Sequence, residues 1–313
     1  MSANRHRAFC QGFVRLLIVG LSALVFGCQT RPPSSASAGA GPADWLAWQA
    51  KRRESIAGTN GWTTLVARHW LTEGATTVGS HSMNSVVLPE GRAPSTVGRF
   101  VRTGRVVRFE AGPGVEARVL GEPVRESILQ SDVDGHPTVL RVGDLSFVVI
   151  ERGERLGLRV RDPQSPDRIH FAGLRYFPYD PKWRIEGYFE AYSSSRPLRV
   201  GDVSGGTQEF SAPGELVFRH GGKEHRLIAV DELGEDDFFV IFRDATNGRS
   251  TYDPGRFLYV GKPKSDGRVT IDFNRAYTPP CGFTRYATCP LAPEQNALPF
   301  GVKAGERKPA SHH

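Results

Sequence analysis

Thr138-Val-Leu-Arg-Val142, Leu145-Ser-Phe-Val-Val-Ile150 and Leu156-Gly-Leu-Arg-Val160 are three short apolar runs. They are separated only by Gly143-Asp144 and by the charged segment Glu151 to Arg155 around Gly153. Runs of five or six residues, rich in Val, Ile and Phe and bounded by Gly and Asp, predict strands rather than helices. The same rhythm continues on both sides. Val86 to Leu88, Arg105 to Phe109 and Val115 to Leu120 precede it. Trp183 to Tyr192, Gly214 to His220, Glu224 to Asp231, Phe238 to Arg243, Phe257 to Val260 and Arg268 to Phe273 follow. Turn residues every 8–12 positions mark an all-β sandwich or barrel.

One helix is expected ahead of the strands. Asp44 can cap it, and Trp45, Trp48 and Ile56 fall near one face before Gly58, Asn60 and Gly61 stop it. The predicted fold is mainly β, with sandwich- or barrel-like antiparallel sheets in one or two stacked units after one short N-terminal helix. The Asp162-Pro-Gln-Ser-Pro166 stretch is the best internal joint. It divides the body into 44–161, the helix plus a first β unit, and 162–306, a second β unit with a Cys-containing tail. Residues 307–313 are expected to be disordered.

The first 27 residues read as an export signal. Arg5, Arg7 and Arg15 precede the uncharged run Leu16 to Gly27, which is shorter than the roughly 20 residues a spanning helix needs. Val25-Phe-Gly-Cys28 resembles a bacterial lipobox, in which Cys28 takes up diacylglycerol. A secreted protein cleaved near Gly27 is the alternative. Gln29 in place of Asp implies sorting to the outer membrane by the same resemblance. Residues 28–43 then form the lipidated Cys and a flexible tether without a large apolar side chain, reaching about 20 Å. The expected location is the cell envelope, lipid-anchored, on the periplasmic face of the outer membrane. The expected partners are membrane lipid through Cys28 and a small-molecule ligand.

Composition limits the remaining choices. Removing the signal lowers the formal balance from +7 to +4, and no run of five like charges exists, so a nucleic-acid partner is excluded. There is no Gly-x-Ser-x-Gly, His-Glu-x-x-His, Walker-type phosphate loop or dinucleotide glycine fingerprint. No cofactor and no metal is expected. His220 and His225 flank a hairpin-like Gly221-Gly222 turn without a third placed ligand, and Ser193 to Ser195 read as a loop.

Polar and aromatic residues concentrate in 169–189, 241–259 and 271–306, and these stretches are expected to converge on one concave pocket. In the first, His170, Tyr176, Asp180, Trp183 and Arg184 offer aromatic walls and a fork for an anion. Asp244, Tyr252 and Arg256 would add converging polar groups. In the third, Asp272 and Asn274 share one strand face, with Arg275 beyond them. The alternative is that Asp272, Asn274 and Asn296 bond loop amides and latch the proline-rich tail, and that Arg184 pairs at the surface with Asp180 or Glu186. Cys281 and Cys289 frame seven residues, and in an oxidising compartment a disulfide between them is the simplest outcome.

Two resemblances follow. The first half is similar in rhythm to a forkhead-associated sandwich, but Ser95 is followed by Thr96, Val97 and Gly98 where that family's phosphate reader needs Ser-x-x-His. Residues 60–306 resemble the family catalogued as domain of unknown function 1684. The resemblance is strongest at Asp272-Phe-Asn-Arg-Ala-Tyr277, Pro280-Cys281, Thr288-Cys-Pro290 and Ala304-Gly-Glu306, with Phe171-x-Gly-Leu174 and Thr251-Tyr252 as further markers. It implies no reaction. The expected function is binding of a small anionic or envelope-derived ligand in an aromatic, Arg-lined pocket. A hydrolase using Asp272, His170 or Tyr252 as acid or base and a structural envelope protein are the alternatives.

Overall fold

The computed structural model describes residues 42–232 and 235–310. The signal, Cys28 and most of the tether lie outside the described residues. Helix α1 (Pro42–Ala57) is followed by β1 (Leu65–Trp70), β2 (Gly74–Gly79), β3 (Val86–Val87), β4 (Gly98–Thr103), β5 (Val106–Ala111), β6 (Ala117–Val119), β7 (Glu122–Val124), β8 (Glu126–Leu129), β9 (Leu140–Val142), β10 (Leu145–Arg152) and β11 (Arg155–Arg161). The second half adds the one-turn α2 (Pro166–Ile169) and then β12 (Arg184–Gly201), β13 (Thr207–His220), β14 (Lys223–Asp231), β15 (Phe238–Phe242), β16 (Arg256–Val260) and β17 (Arg268–Asp272). The fold is mainly β, and no helix among the described residues is long and apolar enough to cross a membrane.

The first half is a sandwich. One sheet has the order β1-β11-β10-β9-β6-β7 and the other β3-β2-β4-β5-β8. Their inner faces meet through Phe147, Leu158 and Val160 on one side and Val78, Phe100 and Phe109 on the other, with the Phe100 ring 5.2 Å from Phe109 and 5.8 Å from Phe147. Period-two alternation turns Arg155, Arg159 and Arg161 of β11 to the opposite face, beside Arg68 and Trp70 of β1. Gly157 is required there, because a Cβ would lie 2.8 Å from the Trp70 ring paired opposite it.

The second half is one curved antiparallel sheet, order β16-β15-β14-β13-β12-β17. All five residues of β15, Phe-Phe-Val-Ile-Phe, are buried, because both faces of the sheet are covered. Trp183, Phe218, Phe242 and Phe273 pack on one face under the tail residues Leu298, Val302 and Ala304. Phe239, Ile241, Phe257 and Cys289 pack on the other.

Several local expectations change. The strands β1, β2, β4, β7 and β8 are additional to those expected: Gly, Thr, Arg and His hide the alternation in β1, β2 and β4, and β7 and β8 are only three and four residues long. Strand β12 runs through Ser193 to Ser195, expected as a loop, by means of a register shift between Ala191 and Arg196. Helix α1 begins at Pro42, so Asp44 sits in its first turn instead of capping it. The helix was grouped with the first β unit, yet its side chains bond the second: Trp45 Nε1 donates to Asn274 O at 2.9 Å, and Arg52 Nε to Glu306 Oε1 at 2.9 Å. Residues 307–308, expected to be disordered, are fastened by Arg307 N–H to Arg175 O and Lys308 N–H to Ser250 O, at 2.8 and 2.9 Å.

Candidate ligand-binding cavity

A cavity of about 620 Å³ opens where α1, the second sheet and the outer face of the first sandwich come together. Helix α1 supplies Trp48, Lys51 and Arg52, and Trp62 follows it. Strands β15 and β16 supply Phe239, Phe257 and Tyr259, and the tail supplies Tyr277, Thr288 and Cys289. The wall is mostly aromatic because rings of β15 and β16 (Phe239, Phe257, Tyr259) meet Trp48, Trp62 and Tyr277 from the helix, the segment after it and the tail.

One side of the cavity is a hydrogen-bonded acid and phenol group. The Tyr259 hydroxyl donates to Glu232 Oε2, and the Tyr259 and Tyr277 rings lie nearly parallel, 6.2 Å apart. Burial pushes the Glu232 carboxyl above its ordinary range. Burial, Tyr277 and Glu232 together push the Tyr259 phenol up as well. Arg52 stacks 4.4 Å above the Tyr277 ring while its Nη2 donates to Thr278 O at 2.8 Å and its Nε to Glu306. Arg52 is thus spent on structure.

Another part of the lining is cationic. Arg152 is held by both oxygens of Asp132 at 2.9 Å and donates through Nε to Thr288 Oγ1 at 3.1 Å. Gln208 Nε2 donates to Thr288 O at 2.5 Å. Behind this wall lie the outward arginines of the first sandwich. Arg68 donates to Ala287 O at 3.0 Å, Arg155 to Asp202 Oδ2 at 3.2 Å, and Arg161 to Asn60 O, Gly61 O and Thr64 Oγ1 at 2.7–3.1 Å. Arg159 is different. It is 7% exposed, its Cζ lies 5.1 Å from the Trp62 ring, and its Nε and Nη2 are buried with no hydrogen-bond partner among the described residues. Burial and neighbouring Arg152 push its pKa down to about 9.

The residues singled out from sequence lie elsewhere. His170 is exposed beside a separate pocket of about 190 Å³, with Asp167 and Phe283. Tyr176 stands edge-on to Trp45 and Trp48, 5.9 Å from each. Asp180 accepts from its neighbour Lys182, and its backbone exchanges two hydrogen bonds with the buried Asn274 amide. Trp183 is core, stacked on His220 at 5.1 Å, and His220 and His225 both pack on Phe300. Arg184 reaches Glu186 only at 4.0 Å. Asp272 Oδ1 accepts from the Asn274 amide at 3.0 Å, and Arg275 lies 3.8 Å from Asp272.

Asp244 and Arg256 form an ion pair at 2.7 Å with both side chains fully buried. Arg256 also donates to Val302 O and Ala304 O, and Asp244 accepts from Val302 N–H, so this pair fastens the tail. Asn296 does the same against Ile228 and Ile241. The convergence of 170–184, 244–256 and 272–296 on one cavity is therefore corrected. The large cavity takes nothing from 169–189 and only Phe257 and Tyr259, both in β16, from 241–259, while Asp180, Asp244 and Arg256 are consumed by turns and by the tail.

The expected Cys281–Cys289 bridge is also absent. Both are free thiols, and the Cys281 amide, in the turn Pro280–Gly282, donates to Cys289 Sγ at 3.2 Å. A hydrogen bond to Cys289 holds the Cys281 thiol low, whereas burial pushes Cys289 up. Tyr252 packs beside Cys281, and burial together with that thiol raises its phenol. The cavity residues that sequence missed include Arg152 and Glu232, and behind them Arg159, which stacks on the lining residue Trp62. The predicted strand Leu156–Val160 contains Arg159, but alternation alone reads its face as solvated, and only the longer β11 (Arg155–Arg161) shows Arg155, Arg159 and Arg161 sharing that face.

Residues 169–307 match a family described as protein of unknown function, DUF1684. An uncharacterised protein of Haloarcula marismortui, known from a solution structure, is 34% identical over 48% of this chain and 85% of its own. Its TM-score is 0.40, so the likeness is one of sequence. The FHA domain of FhaA, solved with the intracellular domain of another protein, shares 18% identity over 29% of this chain and 96% of its own, with a TM-score of 0.21. A structure from a study of phosphothreonine-dependent FHA domain interactions gives 20%, 31%, 96% and 0.22 in the same order. Neither FHA likeness carries a functional conclusion. Among curated proteins nothing matches.

Proposed function

Over residues 169–307 this chain belongs to the DUF1684 family of proteins of unknown function, and we propose that it is a small-molecule binding protein whose ligand lies in the aromatic cavity between α1 and the second sheet. One observation carries this: a cavity of about 620 Å³ walled by Trp48, Trp62, Phe239, Phe257, Tyr259 and Tyr277. That size suits an organic molecule of one or two rings, and such concave, mostly aromatic sites with few polar groups are where ligands bind. Trp48 and Trp62 make the occupancy measurable. Titration with 2-naphthamide should quench their fluorescence, and Ser55→Trp, at an exposed helix position on the cavity lining, should block it. Quenching that survives Ser55→Trp unchanged would place the probe elsewhere.

The proposal includes a place in the cell. Lipidation of Cys28 and the tether would hold the body at the periplasmic face of the outer membrane, within reach of an envelope-derived ligand. A palmitate analogue should label wild type and spare Cys28→Ala; equal labelling would end this part. A hydrolytic alternative rests on Glu232, a carboxyl raised by burial and bonded to Tyr259 in the cavity wall. It predicts ester turnover that Glu232→Gln abolishes while the protein stays folded.

A further inference from the structure

The outer face of β1, β10 and β11 gathers positive charge: Arg159 is buried, and Arg68, Arg152, Arg155 and Arg161 are half-buried. Arg159 and Arg161 stack on Trp62, Arg68 and Arg152 bond the 287–288 segment, Arg155 stacks on Trp70, and Asp132 and Asp202 are the carboxylates that pair with this group. Three guanidinium groups are left to carbonyls, aromatic faces or nothing. Arg68 and Arg161 find carbonyl oxygens. Arg159 makes no ion pair among the described residues, and two of its nitrogens are buried without a partner. A protein interior does not normally hold an uncompensated cation, because desolvation of an unpaired charge is costly. The acids on the cavity lining do not compensate it. Glu232 accepts from Tyr259 and burial raises its pKa, and Glu235 is exposed.

We propose that the ligand is a small organic anion, a flat apolar body bearing a carboxylate, sulfonate or phosphate, and that its charged group is received at the Arg152–Thr288–Gln208 wall with Arg159 as the counter-charge behind it. This rests on the cavity being the ligand site and adds the chemical class and the residue that selects it. Trp62, between the Arg159 guanidinium and the cavity, would cover the ring of the ligand while the cationic wall faces its head. Arg152 is oriented before the ligand arrives: both terminal nitrogens donate to Asp132, Nη1 also to Glu151 O and Nε to Thr288 Oγ1, so what it can offer an anion is the remaining Nη2 N–H and its charge. Attraction between a bound anion and a desolvated guanidinium is much stronger than in water, which sets the expected discrimination at about tenfold or more over a neutral isostere.

The test uses 2-naphthoate and 2-naphthamide, which match in shape and differ in charge, each titrated into the mature protein by tryptophan fluorescence and calorimetry. Wild type should bind the carboxylate at least about tenfold more tightly than the amide. Arg159→Leu should abolish that preference and raise the melting temperature of the unliganded protein, a change a merely structural arginine would reverse in sign. Equal affinity of wild type for both probes overturns the anion proposal while leaving the cavity reading intact. So does an undiminished preference in Arg159→Leu, or in Arg159→Gln if the leucine variant does not fold. Binding of neither probe overturns the cavity reading and this inference with it.

Discussion

Arg256 and Arg159 are both buried arginines on strands, and they are opposites. Arg256 meets the fully buried Asp244 at 2.7 Å and two tail carbonyls, leaving only Nε unpaired. Arg159 has a tryptophan face and no carboxylate. Burial lowers the pKa of both, so burial does not distinguish them. What separates them is whether their donors are used. A buried cation whose hydrogen bonds end on its own chain is part of the fold, and one whose donors end nowhere marks a place for something absent from the chain.

The sharpest way to break the comparison is to remove each arginine. Arg256→Leu strands Asp244 in the core and frees Val302 and Ala304, and should cost about 3–5 kcal/mol in urea denaturation. Arg159→Leu should move stability in the other direction, by about 1–3 kcal/mol, since it removes unsatisfied buried donors without leaving a carboxylate behind. If the two variants lose stability equally, the distinction fails.

Smaller effects sharpen the picture. Glu232 is held above its unfolded pKa by burial, so it contributes stability below the ordinary carboxylate range that is lost as pH rises through the raised value. Glu232→Gln should therefore flatten the fall in urea midpoint on raising pH from mildly acidic to neutral, though Glu306, raised by burial as well, leaves part of the slope. Arg184→Ala should change stability by less than about 1 kcal/mol, because its partner Glu186 is exposed and 4.0 Å away.

The strands around 138–160, the hairpin at Gly221-Gly222 and the helix beginning near Trp45 were legible, because periodicity and turn glycines are local properties. The weak strands β2 and β4 were not, since Gly-Ala-Thr-Thr-Val-Gly and Gly-Arg-Phe-Val-Arg-Thr become strands only by pairing with each other. The site was less visible. Asp244, Arg256, Asp272 and Asn274 stood out as polar residues near aromatics, yet sequence does not say whether a polar group faces a void or a backbone amide. The possibility that Asp272, Asn274 and Asn296 latch the tail was already open, and their bonds to backbone groups fit it. Arg159 stayed hidden because the partner of its strand face is the distant segment 287–289, which only tertiary structure brings there.

The most direct measurement is a crystal structure of the protein with 2-naphthoate. The ring should lie between Trp48 and Trp62, with the carboxylate hydrogen-bonded at the Arg152–Thr288 wall on the Arg159 side. A naphthoate seated outside the cavity, or turned so that its carboxylate faces Lys51 and solvent while Arg159 stays unpaired, would contradict the account.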